Sequence, residues 1–161
     1  MSLSTFTTLH VIISLIAIAT GLVVLAAMLR AERLGKWTAI FLATTILTSV
    51  TGFMFPIAGF TTGLALGAIS LVILAIAVAA RYAFHLVGAW RWIYVATAVA
   101  ALYLNCFVLV VQMFRKLPAL HALAPTESEP PFQIAQGALP VVFIVLGFLA
   151  TRRFHPAPAT R

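Results

Sequence analysis

Apolar residues follow one another along this chain in long blocks, without the alternating or one-faced spacing of a soluble fold. Five blocks stand out: Phe6 to Leu29, Trp37 to Phe55, Gly63 to Phe84, Trp92 to Phe114 and Ile134 to Ala150. A helix rising about 1.5 Å per residue needs roughly 20 residues to cross a hydrocarbon core about 30 Å thick. The first four blocks meet that need. The fifth is shorter and contains Gly137, Pro140 and Gly147, but its start extends backwards. Thr126-Glu-Ser-Glu129 matches a capping box, and Pro130 and Pro131 suit a first helical turn, where a missing N–H costs little. The pattern therefore predicts an all-α polytopic transmembrane bundle. Residues 1–161 form one domain with spans at about 6–29, 37–55, 63–84, 92–114 and 130–151. The outer connection 115–129 is too polar to cross.

Composition removes the soluble alternative. The chain is 63% hydrophobic and 8% charged, against roughly 25% charged for an ordinary soluble domain. The lipid bilayer is thus its first partner, with a membrane protein or a second copy as candidates beyond it. The net charge of +7 does not point to nucleic acid, because the cations sit at block ends and form no basic patch with interleaved aromatics. They instead orient the chain. With five spans, Arg30, Arg33, Lys36, Arg81, Arg91, Arg152, Arg153 and Arg161 fall on one side, against Arg115 and Lys116 on the other. By the positive-inside rule the N-terminus is outside and the C-terminus inside. The first 29 residues carry no Lys or Arg, so the first block is expected to stay as a span.

A gapless match joins Gly35-Lys-Trp-Thr-Ala-Ile-Phe-Leu-Ala-Thr44 to Gly88-Ala-Trp-Arg-Trp-Ile-Tyr-Val-Ala-Thr97. A tandem duplication of helix hairpins would explain it, and so would the recurrence of an interfacial Trp before small and branched residues.

Polar and small residues inside the blocks fall on faces. Thr38, Thr45, Thr48, Ser49 and Gly52 share one side of the second helix, and Gly63 and Gly67 form a GxxxG pattern on the third. Asn105 lies near the middle of the fourth. An unpaired amide at that depth would cost several kcal/mol, so Asn105 is expected to find a partner, with Ser49 or Thr48 as candidates. Helix packing would account for all of these, and a bound polar ligand at Asn105 is the functional alternative. His10, Gln112, Gln133 and Gln136 all fall toward the outer side and form a candidate outer polar cavity.

The histidines invite a redox reading. His10 and His121 lie toward the outside, His85 and His155 toward the inside. Two histidines at each surface is an arrangement similar to that of the cytochrome b561 type, in which imidazoles hold haem. His121 and His155 depart from it by lying outside the spans. A divalent metal on His10 and His121 is the related expectation, with Glu127 and Glu129 as further ligands. The one cysteine, Cys106, is inside an apolar block and makes no CxxC pair. All three acids, Glu32, Glu127 and Glu129, lie in connections, which weighs against a pump built on buried carboxylates. No P-loop, nucleophile elbow, zincin or dinucleotide fingerprint appears, so an enzyme is not the expectation.

The segments Leu9 to Leu25, Thr48 to Pro56 and Ala119 to Phe132 resemble those of small multi-pass bacterial membrane proteins that form a family with no established activity. The resemblance implies an inner-membrane location and carries no catalytic residues over. Three functions remain open: a non-catalytic accessory or assembly component, a haem- or metal-binding redox protein, and a small polar-solute transporter or channel.

Overall fold

The computed structural model describes residues 2–56, 59 and 61–155. Arg161, grouped above with the inner cations, lies outside them, as do three residues of the turn between the second and third blocks.

Six α-helices follow one another: α1 (Leu3–Leu29), α2 (Gly35–Gly52), α3 (Thr62–Val78), α4 (Ala89–Lys116), α5 (Pro118–Leu123) and α6 (Pro130–Arg153). Among the described residues there is no strand. Among the described residues four helical segments are long and apolar enough to cross a membrane: Leu3–Leu29, Thr62–Ala83, Ala89–Lys116 and Pro130–Arg153. The shorter, threonine-rich α2 is not among them.

Local chemistry sets several ends. Ser2 caps α1 by accepting the Thr5 N–H, and Thr61 accepts the Leu64 N–H at the start of α3. The helix α3 passes into a π turn at Ala79–Ala83, where the Phe84 N–H reaches back to the Ala79 carbonyl at 2.9 Å. Such single π turns recur at functional positions. The following connection puts His85 and Leu86 at φ of 50° and 62° and Gly88 at 56°, a region L side chains seldom occupy. Glycine suits the last of these, where the chain enters α4.

The Thr126 to Glu129 motif is used differently from a capping box. Glu129 turns back to accept from the Thr126 N–H and hydroxyl, and Glu129 is itself the residue before the helix, in extended conformation at φ −78° and ψ 154°. Proline disfavours the helical region for its predecessor, so the helix begins at Pro130, four residues beyond Thr126. The short α5, with Pro118 in its first turn, was not foreseen in the outer connection.

The bundle is organised around α4, which touches α1, α2, α3 and α6, while α1 packs most extensively on α2. Tyr94, Val95, Ala98, Ala101 and Leu102 of α4 are buried in this centre with Phe41 of α2 and Leu74 of α3. Arg91 ties the start of α4 to the end of α6, donating to the Phe154 carbonyl at 2.7 Å and the Thr151 carbonyl at 3.2 Å. By contrast the outer face of α6 is bare, with Ile134, Val141, Ile144 and Phe148 all exposed. Apolar area on that scale is foreign to a monomer in water and ordinary in lipid.

Candidate functional site

Polar side chains gather in three places: a seam in the middle of the bundle, the end that carries the connection 115–129, labelled outer after the sequence expectation, and the opposite end beside the π turn, labelled inner.

The seam begins on α2, whose hydroxyls first bond their own helix. Thr45 donates to the Phe41 carbonyl at 2.7 Å, Thr48 to Thr44 at 2.9 Å, and Ser49 to Thr45 at 3.1 Å. Each hydroxyl retains acceptor capacity for a second bond. Asn105 of α4 donates to Thr45 Oγ1 at 3.4 Å, and Ser49 meets Ser70 of α3 at 3.2 Å. The partner of Asn105 is therefore Thr45, one turn before Ser49, and Thr48 remains local. Two interhelical bonds thereby link α4, α2 and α3.

Close approaches accompany the seam. A Cβ on Gly67 would lie 3.1 Å from the Phe53 ring, so this glycine admits the end of α2. Gly52 gives room to His10, whose Cε1 is 4.0 Å from where its Cβ would be, whereas Gly63 faces only the neighbouring Thr61. The tightest position is Gly21 in α1, where a Cβ would lie 2.6 Å from Leu102 and 2.8 Å from Phe41. Its neighbour Thr20 is the only sequence signal, and it did not single Gly21 out.

At the outer end the four candidate cavity residues take different partners. His10 Nδ1 is 2.7 Å from Thr51 Oγ1, and its ring meets Phe55 edge-on at 5.2 Å. Because Thr51 donates its own proton to the Leu47 carbonyl at 2.7 Å, the imidazole is assigned as the donor through Nδ1, leaving Nε2 as the free nitrogen. Gln133 donates to the Ser128 carbonyl at 2.6 Å, and Gln136 to the Phe107 carbonyl at 3.2 Å. Gln136 Oε1 is buried without a partner. Gln112 is half-buried, and among the described residues no hydrogen bond joins any two of the four.

The remaining outer groups are also engaged. Arg115 pairs with Glu127 through two hydrogen bonds, and Glu129 holds Thr126. His121 lies on the exposed α5. Among the described residues no three His, Cys, Asp or Glu side chains come together as a metal-binding group.

The inner end is different, because among the described residues its cations form no ion pair. An open cleft of about 180 Å³ is lined by Arg33, Arg81, Tyr82, His85 and Leu86. Arg33 and Arg81 also border a narrow gap behind it, with Thr38, Tyr94, Phe154 and Glu32 on its walls. Arg81 lies over the faces of Tyr82 and Tyr94, 5.6 and 5.5 Å from the ring centres, a cation–π geometry that fixes the guanidinium. Tyr94 is 1% exposed, and its hydroxyl is buried with Thr38 and Arg81 as its polar neighbours. The π turn carries Arg81 and the strained connection carries His85, so both unusual stretches of backbone feed this cleft. Its sequence signal was Arg81, a charge inside an apolar block.

Together the fold and these groups define an all-helical protein with four candidate membrane-crossing helices, a hydrogen-bonded core seam and a cationic inner cleft. Compared with protein-family models, curated proteins and solved structures, the chain matches none.

Proposed function

We propose that the chain is a five-span protein of the bacterial inner membrane, N-terminus outside and C-terminus inside, acting as a non-catalytic accessory or assembly component. The observation that carries this reading is the use of its intramembrane polar groups. Asn105, Ser49, His10 and Gln136 each bond a neighbouring helix, which is how polar side chains hold apolar helices together in lipid. A transporter lined by Asn105, Gln112, Gln133 and Gln136 would need those amides turned toward a shared path, and three of them are bonded elsewhere. A redox centre on His10 would have Nε2 to offer, but among the described residues His10 is not grouped with two further His, Cys, Asp or Glu side chains.

The fifth span is α2. Its 18 residues cover roughly 27 Å at about 1.5 Å each, and it packs against α1 and α3 as a full member of the bundle. Its threonines lower its hydropathy, yet Thr44, Thr45, Thr48 and Thr51 all donate to carbonyls four residues back. That bonding removes much of the penalty a bare hydroxyl meets in hydrocarbon. Gly35 and Gly88 open α2 and α4 in the same sense along the chain, consistent with a duplicated hairpin.

Impermeant maleimide labelling tests the topology. In a Cys106→Ser background on intact spheroplasts, Gly59→Cys and Ser128→Cys should label and Lys36→Cys and Val87→Cys should not. Labelling of position 59 from the same side as position 36 would remove the α2 span. The functional class is tested on purified protein: a Soret band, stoichiometric metal, or solute uptake in liposomes would each replace it.

A further inference from the structure

We propose that the inner cleft is a phosphate-binding site, filled by the phosphodiester of an anionic phospholipid or by free phosphate. Arg33 and Arg81 supply planar, permanently charged forks that match phosphate oxygens. Neither has a carboxylate within ion-pair distance among the described residues, where the one ion pair is Arg115–Glu127 at the other end. Glu32 is the single acid on the wall of the adjoining gap. His85 and Tyr82 add further donors to the cleft.

Two independent features point the same way. The helix α2 starts beside the cleft, since a Cβ on its first residue, Gly35, would lie 3.9 Å from Arg81 Nη2. Leu34 before it offers no side-chain cap, so the first N–H groups of α2 remain available to an anion. Secondly, the Tyr94 ring holds the Arg81 guanidinium at the cleft, 5.5 Å from its centre. Unmatched cations held in place beside an uncapped helix start leave room for one anion.

Size and surroundings define its class. At about 180 Å³ the cleft holds several times the roughly 30 Å³ share of one water, but falls short of the roughly 300 Å³ where sites for whole small molecules begin. A headgroup phosphate fits. Exposed Tyr82, Phe84, Val87 and Trp92 lie in the sequence around it, and apolar and aromatic side chains at that level suit the glycerol and upper acyl chain of a lipid. Only the lipid source rests on the membrane reading; the phosphate chemistry does not.

The full-length protein in neutral detergent is titrated with inorganic phosphate, and in nanodiscs of phosphatidylcholine with phosphatidylglycerol, reading its melting temperature in both. Wild type should be stabilised by at least one of the two. Arg33→Gln, exposed and unpaired, should weaken apparent binding by about tenfold, the loss expected for a charge-assisted hydrogen bond. Arg81→Gln should do the same or more. Arg153→Gln, which removes an inner charge outside the cleft, should leave binding unchanged. Stabilisation by phosphatidylglycerol alone assigns a lipid, and stabilisation by phosphate in detergent assigns the free anion, whichever span count holds. No stabilisation by either, or equal losses in Arg33→Gln and Arg153→Gln, would overturn the site.

Discussion

Gly21 is the position where the packing of this bundle is most open to test. It sits where α1, α2 and α4 meet, and a methyl added there would lie 2.6 Å from Leu102 Cδ1 and 2.8 and 2.9 Å from Phe41 ring carbons. Carbon atoms are best placed about 3.5–4.0 Å apart, so each approach is roughly 1 Å too close. Leu102 and Phe41 are each 1% exposed, and neither side chain has an open direction in which to retreat. Overpacking of this kind costs about 1–3 kcal/mol. The better helix propensity of alanine returns about 1 kcal/mol. Gly21→Ala should therefore lose up to about 2 kcal/mol, and Gly21→Val more.

The assay is reversible unfolding in mixed micelles, with Gly137→Ala as the matched control. Nothing lies within 4 Å of a Cβ at Gly137, so that change should be neutral or stabilise by up to about 1 kcal/mol. A double-mutant cycle then identifies the clash. Leu102→Ala alone should cost about 2–5 kcal/mol as a buried truncation, while the Gly21→Ala/Leu102→Ala pair should be more stable than the sum by about 1 kcal/mol. Gly21→Ala as stable as Gly137→Ala, or strict additivity in the cycle, would refute the three-helix junction.

Two further predictions address the polar groups. Thr45→Val removes the acceptor of Asn105 and should cost about 0.6–1.7 kcal/mol. Adding Asn105→Leu should recover most of that loss, and independent effects in unfolding measurements would contradict the bond. At the outer end, hydrogen bonding from Arg115 holds the Glu127 carboxyl below its ordinary range. A depressed carboxyl stabilises the fold above its unfolded-state value, and that contribution is lost as pH falls through the lowered folded value. Amide exchange in 117–129, corrected for intrinsic rates, should accelerate on acidification and in high salt. Glu127→Gln should be fast at every pH; protection equal to wild type would show that the pair does not order the connection.

How much of this was legible beforehand depended on whether a residue's role was set by its own neighbours in sequence. The long helices were, because a run of apolar residues needs no tertiary information to be read, and Pro130–Pro131 marked a helix start through their own backbone chemistry. Glu129 shows the limit: the motif spacing was visible, but the prolines after it forced an extended residue and turned a cap into a preceding turn. Asn105 was recognisable as needing a partner, yet Thr45, Thr48 and Ser49 all face one side of α2 within about one turn. Choosing among them required the rotation of α4 against α2. Gly21 escaped notice because a single glycine in an apolar run is indistinguishable from a dozen permissible small residues until Phe41 and Leu102 arrive beside it. The outer candidates were grouped by depth alone, and depth does not determine rotation, so Gln133 and Gln136 turned to carbonyls of different segments.

The inner cleft follows the same logic in reverse. Arg33 and Arg81 are far apart in sequence, and each alone reads as a charge at the end of an apolar block, explained by reaching for the headgroups. What separates them from Arg91 and Arg115 is the outcome of folding. Arg91 finds the last carbonyls of α6, and Arg115 finds Glu127. Arg33 and Arg81 converge on each other across the start of α2, with Tyr94 behind them. Two like charges held at one cleft repel unless an anion joins them, and the positive-φ connection that places His85 carries backbone strain of its own. A bundle that needed only to stay folded would gain by pairing these cations with the one acid nearby. Glu32, on the wall of the gap, forms no ion pair among the described residues, and the arrangement leaves room for an acceptor from outside the chain.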